Sequence, residues 1–208
     1  MMHKGLWHGV LLGLLAAAPS AHGAFEVRLV GSAHELEAGP DEVESEGGGY
    51  QLRSHFALGE HFFLRGSVLS EDSDEVDLNG VEVPADLETR VARVGLGYAH
   101  VAESVRLYGS AEYADLELDL EGERAEDDGL LLSGGITDNG EGAFLWEVEY
   151  GFLRLSDSDG STLAFTLGYR FSERFAIVGG GQAYIFDNDD DSETTLGYGS
   201  LGMRFSFR

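Results

Sequence analysis

Residues 91–100 read VARVGLGYAH, residues 101–104 read VAES, and residues 105–113 read VRLYGSAEY. A period of two divides this stretch into faces. Ala92, Val94, Leu96 and Tyr98 share one face of the first run; Val105, Leu107, Gly109, Ala111 and Tyr113 share one face of the second. The opposite face carries Arg93, Gly95 and Gly97, then Arg106, Tyr108, Ser110 and Glu112. The four-residue break between the runs makes them a hairpin. A water-soluble sandwich that buried such arginines and glutamates would meet a large desolvation cost. A barrel immersed in hydrocarbon reverses the arrangement, with apolar side chains outward and polar ones around a lumen.

The same parity runs along the chain. One face gathers Tyr50, Leu52, Phe56, Phe62, Leu64, Val68, Trp146, Val148, Tyr150, Phe152, Phe165, Leu167, Tyr169, Phe171, Leu201, Met203, Phe205 and Phe207, almost without charge. The other gathers seven arginines (Arg28, Arg53, Arg65, Arg93, Arg106, Arg170 and Arg204) with Glu26, Glu112, Glu147 and Glu149. On a lipid face each midplane arginine would cost roughly 2–4 kcal/mol. In a polar lumen, guanidinium forks and carboxylates bridge neighbouring strands instead. The parity therefore predicts an inward Arg–Glu network and an outward apolar band. Aromatic residues collect at one end of the runs (Phe25, Phe56, Phe62, Tyr98, Phe144, Trp146, Phe171, Phe175, Phe205 and Phe207), with a looser group of Tyr50, Tyr113, Phe152, Ile185 and Phe186 at the other. Two such belts mark the interfaces of a membrane barrel.

Ten alternating runs follow one another, near 25–31, 49–58, 62–70, 89–99, 105–115, 129–136, 143–155, 162–171, 174–186 and 194–207. Most have about the 9–11 residues that a tilted strand needs to cross a bilayer. Tight connections at 59–61, 101–104, 137–142 and 172–174 alternate with acidic ones at 32–48, 71–88, 116–128, 156–161 and 187–193. The acidic connections, with Asp115, hold 29 of the 38 carboxylates and read as solvated loops. Within one of them, Leu116, Leu118 and Leu120 alternate with acids and could prolong a hairpin beyond the membrane. The expected fold is all-β: a closed antiparallel up-and-down transmembrane barrel of ten strands, with eight as the alternative, over residues 24–208.

Residues 1–23, MMHKGLWHGVLLGLLAAAPSAHG, have a positive start at Lys4, an apolar run from Val10 to Ala18 and a small-x-small site at Ala21–Gly23. This is the pattern of a secretory signal peptide. The rest of the chain has 12 arginines, no lysine and 38 acids, a net charge of 12 − 38 = −26. That charge repels nucleic acid. With no cysteine, disulfides and cysteine-based metal or redox sites are excluded.

These features resemble the small outer-membrane β-barrel proteins of Gram-negative bacteria, the porin-like group that includes the OmpA type. The resemblance is carried by the leader, by Gly95-Leu96-Gly97-Tyr98 and Gly197-Tyr198-Gly199, by the turn Thr137-Asp138-Asn139-Gly140, and by the final strand ending Met203-Arg204-Phe205-Ser206-Phe207. It implies export through the periplasm to the outer membrane. It also implies partners in outer-membrane lipid, lipopolysaccharide and the barrel-assembly machinery, the last through the C-terminal strand. Two features depart from the pattern: Arg208 follows Phe207, and ten strands replace the eight of the OmpA type.

Enzymatic and cofactor motifs are poorly supported. Gly197–Gly202 matches G-x-G-x-x-G but lies inside a strand with no helix to follow. Asp187, Asp189 and Asp191 have calcium-loop spacing, but Ser192 stands where the loop needs glycine and Tyr198 where it needs glutamate. They remain candidates only for weak divalent binding. His34, placed in a loop and solvent-exposed, has no nucleophile at a supporting spacing. The expected function is therefore non-enzymatic and cofactor-free: a barrel with a structural or surface role, plugged by its Arg–Glu network and leaving at most a narrow pore. Alternatives are an adhesion module working through acidic extracellular loops, and a soluble lipocalin-like ligand carrier.

Overall fold

A computed structural model describes residues 22–38, 41–120, 122–156, 158–187 and 193–207. Among them every regular element is a strand. In chain order these are β1 (Gly23–Ala38), β2 (Asp41–Ala57), β3 (Phe62–Leu78), β4 (Val81–Ala102), β5 (Val105–Leu120), β6 (Glu123–Asp138), β7 (Phe144–Leu155), β8 (Asp159–Ser172), β9 (Phe175–Asp187) and β10 (Glu193–Phe207). Each pairs antiparallel with its chain neighbours, and β1 pairs with β10 to close the cylinder. Closure leaves no unpaired edge in the membrane-spanning wall, the condition for a sheet to cross a bilayer. Of the expected leader, only His22 and Gly23 are described, and Gly23 opens β1 opposite Phe207 and Phe56.

The strands are longer than the sequence reading implied. β4 has 22 residues and β3 has 17, against roughly 9–11 needed to cross the membrane. The acidic segments expected as loops at 32–48, 71–88 and 116–128 are largely strand, and the barrel wall continues well past the bilayer. Between β3 and β4 only Asn79 and Gly80 turn, with φ of 55° and 83°. That is the left-handed pair a two-residue hairpin turn requires. Asp77 Oδ1 accepts from Gly80 N at 2.6 Å, and Asp119 Oδ1 caps the next hairpin at Gly122 N, 2.9 Å.

Alternation runs along each strand, with register shifts at Ser45/Gly48, Ser73/Glu75 and Arg170/Ser172, but the chemistry of the two faces inverts along the barrel. On β5, Leu107, Ala111 and Tyr113 face out while Tyr108, Ser110 and Glu112 face in. From two residues on, Asp115, Glu117 and Asp119 face out, Ala114 is buried, and Leu116 packs on the inner core. β7 does the same: Val148, Tyr150 and Phe152 outside give way to Arg154, and Glu147 and Glu149 inside give way to Leu153 and Leu155. The change marks where the outer surface passes from hydrocarbon into water. Above it the barrel is built like a soluble one, with an apolar interior of Val30, Leu69, Val91, Leu131, Leu153, Tyr184, Phe186 and Leu196. Phe186, grouped with the outward aromatics in the sequence reading, belongs to this interior.

Below the change the outer face is apolar, with Leu29 at 74% and Leu201 at 65% exposure. Near the tight turns rings run from strand to strand: Phe171 to Phe175 (5.9 Å), Phe175 to Phe205 (5.6 Å) and Phe144 to Tyr169 (5.5 Å). At the other boundary Tyr113 donates to Asp128 Oδ2 at 3.0 Å, its ring among apolar neighbours and its hydroxyl among acids, as suits an interfacial tyrosine.

Candidate functional site

The lumen holds the charged residues singled out by parity. Glu26 on β1 is a hub. Arg28 Nε donates to Glu26 Oε2 at 2.8 Å, Arg204 Nε donates to Oε1 at 2.6 Å, and Arg53 Nη1 lies 4.0 Å away. Glu149 on β7 is a second hub. It takes a fork from Arg65 (2.5 and 3.1 Å), lies 3.9 Å from Arg93 Nη1, and has the Tyr108 hydroxyl at 2.7 Å. Glu147 joins the two, with Arg53 and Arg204 each at 3.9 Å and Tyr108 at 2.6 Å. Glu112 lies 3.4 Å from Arg65 Nε and accepts from Ser110 Oγ at 2.8 Å. Hydroxyls fill gaps in the network: Thr166 for Arg28 and Ser67 for Arg93, both at 3.1 Å. Such sharing offsets the desolvation of so many buried charges.

Arg170 sits apart, nearer the tight turns, where Nη2 meets Asp138 Oδ2 at 2.5 Å. Arg106 is different. It faces the same space, but among the described residues it is the one lumen arginine with no carboxylate within 4 Å, and its buried Nε has no hydrogen-bond partner. In this lower tier, counting Asp138, whose role the parity reading omitted, seven arginines face five carboxylates, an excess of 7 − 5 = +2.

The upper lumen holds a pair the sequence reading placed elsewhere. His34 is a buried strand residue, not an exposed loop residue. It is 4% exposed, its Nε2 contacts Glu71 Oε1, and its ring stands edge-on to Tyr198 at 5.2 Å. The loop expectation fails because Glu35, beside His34, belongs to the outward, exposed face of a strand already in water. Asp189 and Asp191 lie outside the described residues, and of Asp187 only the backbone end of β9 is described. Among the described residues no cluster of three His, Asp or Glu side chains is placed to hold a metal ion.

The signal for the long hairpins was present. Asn79-Gly80 between Val76, Leu78 and Val81, Val83 is the strongest short-range hairpin pattern. The density of acids around it masked the alternation.

A closed antiparallel cylinder with an apolar girdle outside and ion pairs inside defines an integral membrane β-barrel. The chain belongs to the outer membrane protein beta-barrel domain family, whose model matches residues 9–205, and it resides in the cell outer membrane. No curated protein matches it in sequence. Its fold is similar to that of the outer membrane protease OmpT of Escherichia coli, at 5% identity and a TM-score of 0.61, covering 91% of this chain and 98% of that one. It is also similar to an outer membrane channel of Pseudomonas putida F1, at 11% identity and a TM-score of 0.50, covering 91% and 96%. The attachment invasion locus protein Ail of Yersinia pestis aligns at 14% identity and a TM-score of 0.46, covering 89% and 99%. At these identities the likeness concerns the fold alone.

Proposed function

We propose that this protein is a closed-lumen barrel with a structural and surface role in the outer membrane, plugged in two tiers. The lower tier is the Arg–Glu network; the upper is the apolar core that a soluble barrel would have. One observation carries this reading. Leu131, Val178 and Leu196 are 0% exposed and Glu112 is 1% exposed, so at these levels lumen side chains touch one another and not water. A ten-stranded barrel has little more room than its side chains fill. The test is planar-bilayer recording of the refolded protein. No steady conductance is expected, and an ohmic channel in every insertion event would overturn the plug while leaving the barrel.

A second reading, surface attachment, is favoured by the hairpins β3–β4 and β5–β6, which rise past the bilayer as continuous strand. Their outward acids would meet lipopolysaccharide phosphates through divalent cations, and their ends carry exposed Leu78, Val81, Val83 and Leu120. Deleting residues 71–88 and 116–128 and measuring binding to surfaces separates attachment, which the deletion would abolish, from a passive role.

A further inference from the structure

Below the Arg–Glu tier the barrel opens toward the tight turns in a cavity of about 800 Å³. The next void above it, beside Arg28 and Gln51, holds about 10 Å³, no more than the room of one water. The cavity's mouth lies at the tight turns, among Asn139, Gly140, Glu141 and Glu173.

One wall is aromatic and built for its place. His55 stacks on Phe63 at 4.5 Å, and Phe63 meets Tyr108 edge-on at 6.0 Å. The Phe63 and Tyr108 rings each lie on a glycine of the neighbouring strand. A Cβ on Gly97 would stand 2.1 Å from the Phe63 ring, and one on Gly135 would stand 2.5 Å from Tyr108. Arg106, two residues from Tyr108 on the same face of β5, lines the same cavity without a carboxylate partner. Three carboxylates that line the cavity are engaged: Asp138 by Arg170 near the turns, and Glu26 and Glu147 deeper in by two or more arginines. Glu141 and Glu173 stand at the mouth on exposed turns.

We propose that this cavity is a binding site for a small organic anion, with a carboxylate or phosphate on Arg106 and a flat apolar body against Phe63 and Tyr108. The size falls within the range of small-molecule sites. A guanidinium away from bulk water takes such an anion as a two-bond fork. The ligand also neutralises part of the positive excess that the lumen's own carboxylates leave.

Phenyl phosphate is a suitable probe, with inorganic phosphate as the headgroup without the ring. Calorimetric titration of the refolded barrel is expected to show one saturable site for phenyl phosphate. Inorganic phosphate should bind about tenfold more weakly or worse, and Arg106→Gln should weaken phenyl phosphate by about tenfold or more. Arg90→Gln, at a position facing outward above the membrane, should change nothing. Heat-modifiable migration shows whether Arg106→Gln is folded. A second measurement does not depend on that variant. The chain has no cysteine, so Thr137→Cys, opposite Arg106 in the ladder and on the cavity wall, gives a single thiol that phenyl phosphate should shield from a small maleimide. The proposal is overturned if phenyl phosphate neither saturates the barrel nor shields that thiol, if Arg106→Gln binds it as the parent does, or if inorganic phosphate binds equally well. Conductance tests the plug separately, so either result can fail alone.

Discussion

Arg65 on β3 and Glu149 on β7 meet as a fork across the lumen, Nη1 to Oε2 at 2.5 Å and Nη2 to Oε1 at 3.1 Å. They come from strands four apart around the cylinder and are both buried, at 8% and 3% exposure. The bond ties opposite walls together, which ladder hydrogen bonds between neighbours cannot do.

Removing one side of that fork should be costly. Glu149→Gln leaves Arg93 without a carboxylate and Arg65 with Glu112 alone in a buried setting, where loss of one partner costs roughly 3–5 kcal/mol. Urea unfolding in lipid vesicles measures it, and Trp146, the one tryptophan after residue 23, reports it by fluorescence. Arg106→Leu is the contrasting case. It deletes a charge that has no carboxylate partner, so stability should hold or rise. A Glu149→Gln cost below about 1 kcal/mol would mean the network is hydrated and weak.

The outer face should respond to depth. Leu201→Arg places a guanidinium in the hydrocarbon band and should cost about 2–4 kcal/mol, while Thr195→Arg, on the same face of β10 but above the membrane, should cost near zero. The same unfolding assay compares them. Equal costs would remove the boundary between the two zones.

That boundary explains what the sequence disclosed and what it concealed. Alternation of period two survives in any strand, so Arg106, Tyr108, Ser110 and Glu112 sorted inward against Leu107, Ala111 and Tyr113 without structural help. The extent of the strands did not emerge. Beyond Tyr113 the outward residues are acids because their solvent is water, and a run such as Asp115, Glu117, Asp119 resembles a loop to any reading that expects outward residues to be oily. The upper core hid for the same reason: Leu116 and Leu153 alternate with outward residues as any strand does, and only the register places them inside. Arg106 was legible as a lumen residue, but its lack of a carboxylate was not, because partners across a barrel depend on stagger and not on spacing in the chain.

The upper core should behave as a close-packed interior. Leu196, fully buried beside His34 and Tyr184, should lose about 2–5 kcal/mol on substitution to alanine. Limited proteolysis of the folded protein should then cut the projecting β-hairpins faster, while the membrane-embedded part stays resistant. Unchanged stability and cleavage would show that this region contributes no packing.

His34 and Glu71 should be coupled. Each is buried against the other, so His34→Ala and Glu71→Ala should be non-additive, with an interaction of about 0.5–3 kcal/mol in a double-mutant cycle. Additive losses would mean that the contact contributes nothing beyond packing.

Both zones of the barrel are defined by which way alternate residues point and what they meet. Single cysteines introduced at each position from 107 to 119, spin-labelled in lipid vesicles, test this directly by their collisions with oxygen and with a water-soluble nickel chelate. Labels at 107, 109 and 111 should meet oxygen and not nickel, labels at 110 and 112 should meet neither readily, and labels at 115, 117 and 119 should meet nickel. Oxygen-rich, nickel-poor signals at 110 and 112, or no alternation at all, would contradict the account.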